Sequence, residues 1–209
     1  MALVQNLADF RATNVELVAH IAFANAKYAN NSYKITRNLR EFICESAFLR
    51  IFIAWETFVE NCFVDYLLNE PSILNNRPAK WVNPISKDHA QEIIIGNQRF
   101  MDWSNPETIR KISQIYFHQG YVFNTSLSAI HNDLMDLKTI RNSAAHMSST
   151  TASKLDGLSQ RILNNTACVN YTAYKLLFSV DPRSSIINQT VLERYLQLLD
   201  VAAEQIANG

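Results

Sequence analysis

One stretch constrains the fold more than any other. Between residues 36 and 68, Phe48, Phe52, Trp55, Val59, Cys62 and Tyr66 recur at alternating steps of four and three. That spacing places them on one face of an α-helix, because 3.6 residues complete a turn. Leu49, Ile53, Phe58 and Phe63 form a second apolar face on the same segment. A helix that is apolar on most sides belongs at the centre of a structure.

The rest of the chain reads the same way. Four glycines and five prolines in 209 residues leave few places for chain reversal, as expected of a mostly helical backbone. Leu7, Phe10, Leu17, Ile21, Ala24 and Tyr28 define a first amphipathic helix over residues 3 to about 28, closed by Asn30, Asn31 and Ser32. Pro71, Pro78 and Pro84 make residues 70–86 a loop, in which Trp81 is expected to anchor the chain. Ser86 can cap a short helix running toward Gly96, and Asn105 with Pro106 can start another reaching about 117, with Gly120 marking its end. Asn124 or Thr125 can cap a helix reaching about Met147, and Ser148 to Thr151 supply a polar break. Further helices are expected over about 152–180, closed by Asp181 and Pro182, and about 189–206. The fold class is therefore all-α: a bundle of long antiparallel helices, with short helices inserted between the second long helix and the one ending near Met147. Its length suits one domain over 1–209.

Charge narrows the partners. Nineteen basic residues balance nineteen acidic ones, so no strong overall field draws the chain to nucleic acid or an anionic membrane, and any RNA contact must be local. Cys44, Cys62 and Cys168 lack the spacing of a zinc site, as do His20, His89, His118 and His131. No metal or cofactor is expected. The scattered cysteines fit a reducing cytoplasm, and no segment approaches the ~20 apolar residues that span a bilayer.

The unusual residue is Arg141. Leu127, Ile130, Leu134 and Leu137 form an apolar stripe, and its steps of four and three place Arg141 on the same line. A guanidinium stays charged, so it must face an anion, a carboxylate or a cleft. His146 follows Asn142 by four residues, which puts an amide and an imidazole on one face near a helix end. Histidine exchanges protons near neutral pH, and arginine grips phosphate with paired hydrogen bonds, a combination suited to phosphodiester chemistry. The plainer reading pairs Arg141 with a core carboxylate and makes His146 a helix cap.

Three segments, in order, carry a resemblance: SAFLRIFIAWETFVENCFVDYLL, MDWSNPETIRKISQIYF and LMDLKTIRNSAAHMS. Together they span about residues 40–150 and resemble the HEPN superfamily, in particular RiboL-PSP-HEPN-like and cyanobacterial-type HEPN proteins. The last segment fits that family's pattern of Arg, a polar residue, a few variable residues and His. The resemblance implies a homodimer whose two motifs share a cleft, acting as a metal-independent endoribonuclease by 2′-hydroxyl attack. In that reading His146 is a general acid or base, Arg141 binds the scissile phosphate, and Asn142 orients His146 or RNA. Glu56 and Glu60, one turn apart on the central helix, are secondary candidates to partner Arg141 or His146, or else carboxylates at a partly exposed seam. The family also implies a toxin, phage-defence or stress role, with an antitoxin or nucleotidyltransferase as possible partner. A non-catalytic module that binds RNA, nucleotide or protein is the alternative. Trp55, Trp81 and Trp103 could stack on bases, but aromatic residues in apolar helical patterns usually belong to the core.

Overall fold

The computed structural model describes residues 1–146 and 148–209. Among them the fold is all-α, a helical bundle without a β-strand. The helices are α1 (Ala2–Ala24), α2 (Arg37–Leu67), α3 (Lys87–Ile95), α4 (Pro106–Tyr116), α5 (Tyr121–Ala129), α6 (His131–Ala145), α7 (Ser149–Leu163), α8 (Ala173–Leu177) and α9 (Val191–Asn208). The two short helices α3 and α4 fall between α2 and the motif-bearing α6, as the sequence requires. No helix among the described residues is long and apolar enough to cross a membrane.

Caps explain most of the boundaries. Ser86 accepts the His89 N–H at the start of α3, and Gly96 ends that helix at φ 53° with its N–H on the Glu92 carbonyl. Asn105 accepts the N–H groups of Glu107 and Thr108, with Pro106 in the first turn of α4 where its missing donor costs nothing. Two expected helices are each divided. The helix assigned a cap at Asn124 or Thr125 instead starts at Tyr121, after Gly120 in the left-handed region (φ 76°), and breaks at Ile130. Its expected end at Met147 lies outside the described residues. The expected helix over 152–180 stops at Leu163, where Asn164 adopts φ 48°, and resumes only as the five-residue α8. Asparagine tolerates this conformation better than other side chains, so Asn164 was a stop signal in the sequence.

The chain divides into two compact units. The first comprises Met1–Arg11, Trp55–Met135 and Leu198–Gly209. Its core is aromatic: Phe63 packs edge-on against Trp103 and Phe117 at 5.5 and 5.1 Å, and Phe10 lies 5.3 Å from Phe58 and 6.0 Å from Trp55. The Tyr66 hydroxyl, buried with them, donates to the Ile206 carbonyl at 2.6 Å. Trp81 departs from its expected anchoring role. It is 65% exposed, and its ring stacks 3.7 Å from the ring of His118.

The second unit comprises Ala12–Ala54 and Asp136–Gln197. Phe48, Ile51, Phe52, Ile140, Leu155, Ile162, Leu176 and Tyr195 are buried in it. Ile53, read as part of a second apolar face, is 51% exposed, alongside Leu39 and Phe42 on the same side of α2. Asp136 is buried here, where its carboxylate accepts from the Arg161 guanidinium and, at 3.2 Å, from the Tyr195 hydroxyl. Arg183 sits 3.8 Å from the same carboxylate and forms a two-pronged pair with Asp181 at 2.9 and 2.6 Å.

Candidate functional site

Helix α6 carries the Arg/His segment. Its apolar line is realised: Leu134, Leu137 and Ile140 are buried, and the line fades at the C-terminal end, where Arg141, Asn142, Ser143 and Ala144 are half-buried. Ile140, one residue earlier, takes the fully buried place that the 4/3 spacing offered to Arg141. At 100° per residue Arg141 then lies at the edge of the buried face. Such a position lets an arginine lay its aliphatic stem along apolar surface while its guanidinium reaches outward.

That guanidinium donates from Nη1 to Asn142 Oδ1 at 3.1 Å. Among the described residues Arg141 forms no ion pair, so the plainer reading of a core carboxylate partner is not realised. The His146 N–H donates to the Asn142 carbonyl at 3.0 Å, which extends the helical register one residue past Ala145. Asn142 and His146 therefore share a face. His146 is exposed, and its own carbonyl accepts from the Thr151 hydroxyl at 2.6 Å. Ser148 and Thr151 form a reciprocal cap at the start of α7, with Ser148 Oγ accepting the Thr151 N–H. The Thr151 hydroxyl thus ties the last motif residue to the next helix.

Glu56 and Glu60 lie on the part of α2 assigned to the first unit, whereas Arg141, Asn142 and His146 belong to the second. Both glutamates are half-buried, and Glu60 lines a cavity of about 320 Å³ with Arg99, Phe100, Met101 and Trp103. The carboxylate that shares a cavity with the motif segment is a different one, Glu45.

This second cavity, of about 350 Å³, is lined by Glu45 of α2, Ser143 and Ala144 of α6, Ser148 and Thr151 at the start of α7, and Tyr171 and Thr172 ahead of α8. Comparison with protein-family models, with curated proteins and with solved structures gave no match. The chemistry of the site rests on its own residues.

Glu45 Oε1 accepts the Tyr174 backbone N–H at 3.0 Å, and burial pushes its carboxyl above the usual range, opposed by that hydrogen bond. Tyr171 is fixed by its backbone. Asp156 accepts the N–H groups of Asn170 and Tyr171 at 3.1 and 2.8 Å. The sequence did hold a signal for Glu45. Extending the line of Phe48, Phe52 and Trp55 one step toward the N-terminus lands on it, the same kind of intrusion into an apolar line that marked Arg141.

Proposed function

We propose that the chain is an endoribonuclease of the HEPN type, needing no metal, with Arg141, Asn142 and His146 as one half of an active site completed by a second copy. The observation that carries this reading is the end of α6. A guanidinium without a carboxylate partner among the described residues and an exposed imidazole sit within two turns of each other, linked through Asn142. Such a pair can bind a phosphate and move a proton beside it.

In the implied reaction one His146 removes the proton of a ribose 2′-hydroxyl. Its oxygen forms a bond to phosphorus while the bond from phosphorus to the 5′-oxygen breaks. The second His146 delivers a proton to that leaving oxygen, and the two Arg141 side chains neutralise the crowded phosphorane. The products are a 2′,3′-cyclic phosphate and a 5′-hydroxyl. Two copies are needed because one chain supplies one such histidine, and self-association has apolar surface to use: Leu39, Phe42 and Ile53 are exposed along one face of α2. The sharing of the site, the RNA substrate, a toxin or defence role, an antitoxin or nucleotidyltransferase partner and a cytoplasmic location all belong to this proposal.

Cleavage of RNA in EDTA by wild type and not by His146→Ala, leaving cyclic phosphate ends, would support it. RNA binding without cleavage by either protein would favour the non-catalytic module, which the cavity beside the motif also suits.

A further inference from the structure

The Arg/His motif does not account for the cavity beside it. On α6 the buried line of Leu137 and Ile140 continues to Ser143 and Ala144, where the side chains become small. Ala173 does the same at the start of α8. Large apolar side chains would close this end of the unit; small ones leave a space of about 350 Å³, within the size range of small-ligand pockets.

The lining is chemically uneven. Its lining residues include one carboxylate, Glu45, several hydroxyl-bearing side chains and one aromatic residue, Tyr171. Oε1 of Glu45 is engaged by the Tyr174 N–H, which fixes the side chain, while Oε2 makes no hydrogen bond among the described residues. Oε2 is not among the buried atoms left without a partner, so it is open to water, and a donor on a ligand in the cavity can take that water's place. No cation takes it: among the described residues Glu45 forms no ion pair.

We infer that this cavity binds a guanine base, with the Glu45 carboxylate receiving the N–H groups of its Watson–Crick edge and the Tyr171 ring lying against its face. Guanine is the nucleobase whose edge sets two adjacent donors, N1–H and the N2 amine, against a carboxylate. Adenine and cytosine each place a ring-nitrogen acceptor beside a single amine, and uracil flanks its one N–H with two carbonyl oxygens. All three would set lone pairs against the carboxylate. An aromatic ring adds stacking that any base can use, so Tyr171 contributes affinity and Glu45 the selection. The base could belong to a free guanine nucleotide or to an RNA; the second source rests on the ribonuclease reading, with cleavage placed near a guanosine.

The test has two arms. In the first, the full chain is titrated with GMP, IMP and AMP by calorimetry. GMP is expected to bind, IMP, which lacks the N2 amine, about 10-fold more weakly, and AMP weaker still. Glu45→Gln keeps an oxygen for the Tyr174 N–H yet offers an amide donor in place of Oε2, so it should retain its fold by circular dichroism and lose the preference for GMP. Ala144→Leu, which fills the cavity and leaves Glu45 in place, should weaken GMP binding as well. Equal binding of GMP and AMP, or a preference for GMP unchanged in a folded Glu45→Gln, would overturn the inference. In the second arm, short RNAs with a single guanosine are incubated with the same proteins. Cleavage beside the guanosine that loses its base preference in Glu45→Gln upholds it with RNA as the source. GMP binding without any cleavage upholds it with free nucleotide as the source and counts against the ribonuclease. Cleavage without base preference and without GMP binding overturns it while leaving the ribonuclease standing.

Discussion

The Thr151 hydroxyl lies 2.6 Å from the carbonyl oxygen of His146 and accepts the Ser148 N–H at 3.0 Å, so one side chain in the first turn of α7 holds the last residue of the motif and caps its own helix. If His146 performs proton transfer, its backbone must be held as well as its ring. Thr151→Val keeps the shape and removes both bonds. Cleavage of RNA should fall by about 10-fold or more, since small misplacements of a reacting group are costly. Thr151→Ser, which keeps the hydroxyl, should restore it. Equal loss in both variants would assign the effect to packing.

Asp136 is buried among polar partners: the Arg161 guanidinium, the Tyr195 hydroxyl at 3.2 Å, and Arg183 at 3.8 Å. Removing the carboxylate strands the groups that meet it. Because Arg161 is more exposed than buried, its share is screened by water, and Asp136→Ala should destabilise the fold by about 2–3 kcal/mol rather than the larger cost of a fully buried pair. Urea denaturation measures it. A loss below about 0.5 kcal/mol would show that water replaces the carboxylate.

Glu45 gives a pH dependence with a definite sign. Burial raises its folded carboxyl above the ordinary value of about 4.3, so the protonated form is favoured in the folded state. The stability it contributes is fully present below the unfolded value and is lost as pH rises through the raised folded one. Glu45→Gln imitates the protonated form. The thermal midpoint of the variant minus that of wild type should therefore increase as pH rises from about 4 to about 7; a flat difference would show that the carboxylate ionises without penalty.

Gly120 is held at φ 76°, and a Cβ there would come within 2.8 Å of Asn124 Cβ and Ser113 Oγ. Strain and contact act together, so Gly120→Ala should cost about 1–3 kcal/mol. The thermal midpoint reads this directly. Gly157→Ala is the control, because an added methyl there meets nothing within 4 Å and helix propensity favours alanine.

Local chemistry makes much of the fold legible in the chain itself. The apolar spacing of Phe48 to Tyr66 dictates α2, and Ser86, Asn105, Pro106 and Gly96 place α3 and α4, because a helix and its caps are decided by residues within a few positions of one another. The same reasoning places Asn142 and His146 on one face of α6. It overruns the breaks at Ile130 and Asn164, since an apolar pattern can continue across a kink, and it misjudges Trp81, whose burial depends on what packs over it. Glu45 is the clearest case of what the tertiary structure alone decided. Its sequence position marks a carboxylate on an apolar line. Its hydrogen bond to Tyr174 and the cavity it shares with Ser143 and Tyr171 join distant parts of the chain, and such contacts are settled only when whole helices pack against one another.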